Sequence, residues 1–525
     1  MRRSMLLERS GAIANPVADP DEAVPAHYGD PLREQAALAE GRAIAALARD
    51  VVAVGGPDRL SWLTTLSSQI LTGLVPDDGG AEALLLDAQG RIVHALAAVD
   101  DGEHLLLVTE AGRGEELIDF LRRMRFMLRV EVEATDLVAL GAMGTGLAAL
   151  EAAARAVPRV SDGAGAPGRG NGAAGAVSGP GAPSRRSEVS GARGGPGASG
   201  AREADVPGGA PAESGAREAD VPGGAPAESG AREADVPGDA PAESGAREAG
   251  VPGGAPAESG AREAGVPGRA PVVVRGECAY RGLWRDSWPG VVEGGTSYDV
   301  GLEDREHPGA GYDAGFVLVP VGAVCSVAEV FLAGAPQRSL AGSLAWEALR
   351  IEAGRPRWAR EVDARAIPHE LDWLRTAVHL DKGCYPGQET VARTLNLGRP
   401  PRRLVALQLD GLVGGTPLPG ACVRLGERVV GTLTSVTRHY ELGPMGLALL
   451  RRNVPLDAVL TVDLADDPAE SIEAGVDAGR ADSPPVVVGR VAAAQELLVS
   501  PEGRAQASPA QRPGVALRTS LLRQS

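Results

Sequence analysis

The chain has 525 residues, 44% of them hydrophobic, and a formal net charge of −17. This length suits about two to four domains, and the acidic balance argues against nucleic acid as the main partner, because phosphate binding requires clustered lysine and arginine. The four cysteines form no C-x-x-C pair, which argues against a disulfide framework and against a metal site made by this chain alone. With no secretory signal and no run of about 20 apolar residues, we expect a cytoplasmic protein without a membrane span.

The first folded part is predicted over residues 35–160, after a tail at 1–34 that lacks an apolar run and is expected to be disordered. Its predicted elements, in chain order, are a strand within Ile44–Val54, a helix from Arg59 to Leu71 capped by Asp58, strands at Ala83–Asp87, Arg91–Leu96 and His104–Val108, a helix at Glu115–Met127 and a strand at Val130–Glu133. The hairpins indicate an α+β layout rather than repeated βαβ units.

A near-identical repeat of 15 residues occupies the centre of the chain, beginning at Ala201 and ending in a truncated copy at Ala261. Each unit has one valine and no aromatic residue, so it cannot offset the entropy cost of ordering. We therefore predict a disordered insertion at 161–270. Two interpretations of it stay open: an interaction tether, or an expanded insertion with little function.

The second folded part is predicted over 271–402, with a strand at Phe316–Val319 and a helix at 342–352. From residue 403 to 502 the pattern changes to short strands separated by glycine-rich turns, which predicts a small β-barrel. The predicted barrel strands are Leu404–Leu407, Val429–Thr434, Gly446–Leu449 and one or two within Val486–Val499. A loose stretch is expected at about 465–485, and a disordered tail at 503–525.

Lys382 is the only lysine of the chain. Every other Lys or Arg position in the chain is arginine, which suggests that arginine cannot replace Lys382, because lysine is a compact charge with a tunable pKa. The alternative is that this lysine is retained by chance on the surface. Cys384 lies two residues further on, where a nearby cation favours the thiolate. A helix predicted over 387–395 would place Cys384 just before a helix N-terminus, which also favours an anion. The alternative is a small buried cysteine.

The segment Lys382-Gly383-Cys384-Tyr385-x-Gly387-Gln388-Glu389 resembles the signature of the YgfZ family, folate-binding proteins related to the T-protein of the glycine cleavage system. Supporting blocks follow in the family's order. They are Gly55–Leu63, Leu84–Ile92, Leu349–Pro356, Ile367–Glu370 and Gly431–Ser435. The resemblance covers roughly residues 35–155 and 272–500 and leaves the repeats out.

The resemblance implies a fold of two ferredoxin-like α+β lobes and a C-terminal β-barrel around a central channel for tetrahydrofolate. It implies that Glu352 bonds the pterin ring, although a surface helix residue is an equal alternative. The signature residues expected at the channel are Lys382, Cys384, Tyr385 and Gln388, with Lys382 and Cys384 as candidates for a catalytic role. Arg393 would meet a folate carboxylate or be an ordinary helix-surface arginine, and Trp346 would stack on the pterin or pack in the core.

One departure separates two functional hypotheses. The T-protein carries an aspartate pair after its Gly-Gly-Ile hairpin, whereas the equivalent stretch here, Gly90–Ala95, has no carboxylate. The first hypothesis is therefore a folate-dependent accessory factor for iron–sulfur enzymes, including ones that modify tRNA, with client enzymes or assembly factors as partners. The second is a tetrahydrofolate-dependent aminomethyltransferase or demethylase, for which His94 is the candidate proton carrier. A scaffold acting through its repeats is a third, and whether the chain catalyses any reaction stays open.

Overall fold

The structure, a computed structural model, describes residues 3–158, 277–302, 304–412, 415–465 and 487–509. The strands of these residues are β1 (Ile13–Ala14), β2 (Pro25–His27), β3 (Ala43–Leu47), β4 (Arg49–Gly55), β5 (Ala81–Leu86), β6 (Ile92–Asp100), β7 (His104–Glu110), β8 (Glu131–Ala134), β9 (Leu137–Met143), β10 (Gly282–Arg285), β11 (Ala314–Pro320), β12 (Ser339–Ala341), β13 (Arg402–Leu409), β14 (Cys422–Leu425), β15 (Arg428–His439), β16 (Gly443–Arg451), β17 (Leu460–Ala465) and β18 (Val487–Leu497).

The α-helices of the same residues are α1 (Pro31–Ala39), α2 (Arg59–Leu66), α3 (Gly114–Met124), α4 (Thr145–Ala156), α5 (Val324–Ala333), α6 (Ser343–Glu352), α7 (Trp358–Glu361) and α8 (Gln388–Asn396). Short 3-10 helices occur at Met5–Glu8, Pro308–Gly311, Val321–Ala323 and Pro368–Leu371. Across the described ranges, no helix is both long and apolar enough to cross a membrane.

The first lobe is an antiparallel sheet with the strand order β5-β6-β7-β4-β8. Without the edge strand β5, the succession β4-α2-β6-β7-α3-β8 is ferredoxin-like. Alternation along the strands sends one set of side chains under α2 and α3, where Val54 and Leu107 pack against Leu63 and Leu117. The opposite set faces the second lobe.

The second lobe is a sheet with the order β10-β11-β9-β3-β12, in which only β12 is parallel to its neighbour, β3. Helices α4 and α5 cover its outer face, where Leu150 and Phe331 pack on Ile44. Its inner face packs on the inner face of the first sheet, with Leu47 and Phe316 in the same apolar cluster as Leu106. Because β3 and β9 precede residue 158 and the other three strands follow residue 277, the two halves of the chain form one sheet.

The third part is a closed six-stranded barrel with the order β13-β16-β15-β14-β17-β18. Its interior is apolar and includes Leu407, Leu433, Leu450 and Leu460, all fully buried. The structure thus confirms the predicted α+β class with two ferredoxin-like lobes and a C-terminal barrel. The repeats predicted at 161–270 lie outside the described residues, as does the loose stretch from residue 466 to 486.

Both predicted tails were partly wrong. Residues 3–34 form two strands and the start of α1, and Leu6 and Val24 are buried in the core of the second lobe. These residues order through tertiary contacts that a local apolar pattern cannot reveal, such as the ion pair of Asp21 with Arg357. At the other end, Ala505 is buried and the amide of Gln506 donates to the carbonyl of Ser297; residues 510–525 lie outside the described ranges.

Two helices are shorter than predicted. Helix α2 ends at Leu66. Asp58 is its N-cap residue as predicted, but the carboxylate accepts hydrogen bonds from Arg129 rather than from the helix amides. Helix α3 ends at Met124, and Phe126 then takes a left-handed backbone conformation with φ 47°.

Candidate functional site

The loop that leads into α8 is anchored on the first lobe by Lys382. Its Nζ donates hydrogen bonds to the carbonyl oxygens of Thr64, at 2.6 Å, and Ser67, at 2.7 Å. Both carbonyls belong to the C-terminal end of α2, where helix carbonyls lack partners within the helix and a cation is favourable. The ammonium group therefore caps α2, which is a structural reason for a compact cation at this position.

The signature residues next to Lys382 contribute to the same corner. The Nζ atom lies 4.5 Å from the centre of the Tyr385 ring, within range of a cation–π interaction, and Gln388 Nε2 donates to the Lys382 carbonyl at 3.2 Å. Burial lowers the pKa of Lys382 to about 8, partly opposed by Cys384. Burial also raises the pKa of Tyr385 to about 12, so its phenol stays neutral.

Cys384 is exposed on this loop and lies four residues before the first residue of α8. The loop is pressed against the turn between β5 and β6, since a Cβ on Gly387, whose φ is +79°, would lie 2.5 Å from the carbonyl oxygen of Asp87. Only glycine fits that approach. The structure thus brings two segments of the sequence pattern, the signature and the hairpin turn, into contact.

Two predicted site residues lie apart from this corner. The Glu352 carboxylate is at the end of α6, where Oε2 is 3.2 Å from His439 Nε2, and the side chain is 38% exposed. Arg393 is exposed on α8, and its side chain makes no hydrogen bond or ion pair with any residue that the structure describes. Lys382, Cys384, Tyr385 and Gln388 are therefore grouped, whereas Glu352 and Arg393 are not in contact with them.

A small cavity of about 100 Å³ lies between the facing inner sides of the two sheets. It is lined by both sheets, by α6 and by the segment after α6. Four of the six tryptophans of the chain line it, namely Trp284, Trp346, Trp358 and Trp373. Trp346 is 8% exposed and belongs to the apolar cluster between the sheets, which supports the core-packing alternative for this residue.

Buried arginine–carboxylate pairs surround the cavity. The Arg357 guanidinium reaches Asp21 at 2.7 Å, Glu110 at 2.9 Å and Glu347 at 3.0 Å. Arg350 bonds Glu347 at 2.6 Å from one turn further along α6. Burial alone would raise the pKa of Glu347, but Arg350 and Arg357 hold it well below its usual range. The carboxylate of α6 that lines the cavity is thus Glu347, not Glu352.

Three hydrogen-bond donors on the cavity wall have no acceptor among the described residues. They are Trp284 Nε1, Trp358 Nε1 and Arg355 Nη1, each buried. A buried donor without a partner costs about 1–3 kcal/mol. A ligand or water that presents acceptor atoms would remove this cost, so the wall favours such an occupant.

An outer groove of about 580 Å³ adjoins this cavity and shares the side chains of Glu82 and Asp286 with it. Glu82 accepts hydrogen bonds from Arg355 Nη2, from Trp373 Nε1 at 2.8 Å and from the hydroxyl of Thr376. Thr376 and His379 also line the groove. Contrary to the prediction, the signature residues Lys382, Cys384, Tyr385 and Gln388 line neither the groove nor the cavity.

His94, the candidate proton carrier, does not line the cavity. Its side chain is directed instead towards Arg113 and Glu116 at the start of α3. There its Nε2 lies 3.9 Å from Glu116, and burial together with Arg113 lowers its pKa to about 4.

Of the residues that line the cavity, the sequence patterns singled out Trp346 as a candidate ligand contact and missed the others, although one further signal was present. Aromatic residues make up only 3% of the chain, yet Trp346, Trp358 and Trp373 fall in one short stretch together with Arg350, Arg355 and Arg357. This clustering indicates an interior with a specialised role. Within the described residues, no group of three or more His, Cys, Asp or Glu side chains is arranged to hold a metal ion.

No protein-family model matches the chain. A chloroplastic protein of Arabidopsis thaliana, named a putative transferase, is 37% identical over 139 residues, which is 25% of this chain and 30% of that protein. The crystal structure of the glycine cleavage system aminomethyltransferase T from Bartonella henselae has a TM-score of 0.53 at 15% identity and covers 95% of this chain and 97% of its own. The chain therefore has the fold of the glycine cleavage T-protein.

Proposed function

We propose that this protein binds tetrahydrofolate in the cavity between its two lobes and acts as an accessory factor for iron–sulfur enzymes. The main support for this proposal is the cavity wall. Tryptophan rings line the cavity, and three buried N–H donors on its wall lack hydrogen-bond acceptors among the described residues. The T-protein fold supports the same site. The resemblance of residues 382–389 to the YgfZ signature supports the accessory role. We propose that the protein performs this role in the cytoplasm, where its client enzymes are expected.

The residues present fit the chemistry of a pterin ring. Such a ring is flat and aromatic and carries a carbonyl and ring nitrogens as acceptors, which match the indole N–H groups of Trp284 and Trp358 and Nη1 of Arg355. The cavity alone, about 100 Å³, is smaller than the roughly 300–1,000 Å³ of most ligand sites. The rest of the cofactor would therefore extend into the outer groove past Glu82, or the wall would move on binding.

Calorimetric titration with tetrahydrofolate tests this proposal. We expect binding to the full chain, and we expect Trp358→Phe to weaken it by about three- to tenfold, because one hydrogen bond is lost while the ring is kept. Trp62→Phe is the matched control, since Trp62 belongs to α2, is buried in the apolar cluster under that helix and does not line the cavity. The absence of heat at ligand concentrations up to about millimolar, or equal effects of both substitutions, would remove the folate site.

The exposed thiol of Cys384 is the residue we assign to the accessory role. The thiol is exposed on the loop that Lys382 anchors, where a client protein can reach it. Cys384→Ala should leave folding and folate binding intact yet abolish the rescue of iron–sulfur enzyme activity in cells lacking the protein. Cys422→Ala, on the barrel strand β14, is the control. Full rescue by Cys384→Ala would remove the cysteine from the function.

A folate-dependent aminomethyltransferase or demethylase is the second candidate, favoured by the fold that the chain shares with the aminomethyltransferase of Bartonella henselae. Against it stand the hairpin without a carboxylate and the orientation of His94 away from the cavity. An assay with aminomethyl and N-methyl donors separates the two functions. Turnover that is lost in His94→Ala would favour the transferase, whereas absence of turnover in the wild-type protein would exclude it.

A further inference from the structure

The chain reverses direction after α3 and exposes three consecutive apolar side chains. Phe126 is 81% exposed, Met127 99% and Leu128 40%. Single exposed apolar residues are common on protein surfaces, but a contiguous exposed run indicates an interaction site. We refer to residues 122–129 as the α3 tip.

The conformation of the α3 tip is held in place rather than left loose. Arg122 and Arg125 donate hydrogen bonds to the carbonyls of Val132 and Val130, and the Asp58 carboxylate binds both the amide and the guanidinium of Arg129. The left-handed backbone of Phe126, with φ 47°, is unfavourable for a bulky residue. Since the Phe126 ring is exposed, no packing within the chain offsets this cost.

The α3 tip is also basic, in a chain whose net charge is −17. It contains four arginines and no acidic residue. Arg129 is paired with Asp58; the other three make no ion pair within the residues that the structure describes. Three guanidinium groups without an ion pair among the described residues therefore belong to the same short segment as the exposed Phe126 and Met127.

We propose that the α3 tip docks on a partner protein by inserting Phe126 and Met127 into an apolar recess that carboxylates surround. The charge pattern carries this choice, because cations around an apolar centre complement an acidic rim. Held in its binding conformation, the tip loses little entropy on docking. An anionic membrane is the less favoured occupant, since it would attract the three arginines that lack ion pairs but repel the strongly acidic chain as a whole. The inference does not depend on folate binding.

Photo-crosslinking of the full chain tests the α3 tip. Benzoylphenylalanine would replace Phe126 in cells that naturally make the protein, with the same probe at Val459, which is 78% exposed on a turn of the barrel, as the control. We expect a discrete protein adduct at position 126 only. Sequencing of the crosslinked peptide should find apolar residues flanked by Asp and Glu.

A charge reversal then tests the acidic rim. Arg123→Glu, at a side chain without partners in the described structure, should reduce the adduct by about three- to tenfold, whereas Arg365→Glu, 80% exposed elsewhere, should not. No adduct at position 126 beyond that at 459, or an adduct that Arg123→Glu leaves unchanged, would overturn the proposal. If the chain floats with phosphatidylserine vesicles and Phe126→Ser abolishes this flotation, the α3 tip binds a membrane and the proposal of a protein partner is wrong.

Discussion

The barrel interior and the interior between the two sheets are both buried, but different forces hold them together. The barrel is filled by aliphatic side chains such as Leu407 and Leu460, so its stability comes from apolar burial and close packing. Around the cavity between the sheets, arginines and carboxylates are buried in pairs. Buried pairs gain little net stability because their desolvation is costly. Stability alone therefore does not explain the buried charges between the sheets, which is consistent with a binding site there.

A single residue type shows the same contrast. Arg403 in β13 is fully buried, yet it bonds only the carbonyl of Val454 and the side chain of Gln495, and burial lowers its pKa to about 10. Arg357 between the sheets is also buried but meets three carboxylates, and their charges raise its pKa. The number of neighbouring carboxylates therefore decides whether burial lowers or raises the pKa of an arginine in this protein.

The largest effect is expected for the paired charges. Arg357→Met leaves Asp21, Glu110 and Glu347 without their common partner, and should lower the free energy of unfolding by about 3–5 kcal/mol. Urea denaturation measures this, and Arg365→Met, 80% exposed, should stay within about 0.5 kcal/mol. A loss below about 1 kcal/mol for Arg357→Met would mean that the pairs are solvated and that the contrast with the barrel does not exist.

A somewhat smaller loss is expected in the barrel. Leu460→Ala creates a cavity in the apolar interior and should cost about 2–4 kcal/mol in the same denaturation experiment. Because no charge is involved, this cost should be the same at pH 5 and pH 8 and at low and high salt. A strong dependence on pH or salt would show that the barrel interior also relies on electrostatics.

The pH dependence of Lys382 gives a weaker effect. Its folded pKa of about 8 lies below the value of about 10.4 in the unfolded chain. Between these values the unfolded state binds more protons, so this contribution to stability rises with pH and is lost as pH falls through 8. Between pH 8 and 10 the wild type should gain about 1 kcal/mol relative to Lys382→Met, a figure reduced by solvent screening. Parallel pH profiles of the two proteins would contradict the buried ammonium.

The smallest effect concerns the thiol beside that ammonium. Lys382→Met should slow the alkylation of Cys384 by iodoacetamide at pH 7 by about two- to fivefold, because it removes the cation that interacts electrostatically with the reacting sulfur. Mass spectrometry of the two peptides gives the rates, with Cys422 as the internal reference. An unchanged Cys384 rate would leave Lys382 with its helix-capping role alone.

Local patterns predicted about half of the elements. The β5–β6 hairpin, α6, α8 and the barrel strands β13, β15, β16 and β18 have apolar periodicity or turn residues within their own segment. Helices α4 and α5 and the barrel strands β14 and β17 were not predicted. The candidate site was predicted in part: Lys382, Tyr385 and Gln388 do meet, because they are close in sequence. The choice of Glu352 over Glu347 depends on which face of α6 the lobes cover, and that face is not encoded within the helix.

The sequence by itself determined the separate pieces: the two α+β halves, the barrel and a loop with one lysine and a nearby cysteine. Only the tertiary structure decided that this lysine caps α2 and that four tryptophans and the paired arginines enclose one cavity. The physical reason is distance along the chain. Asp21 and Arg357 are 336 residues apart, and a buried ion pair becomes visible only when the fold removes both charges from water together.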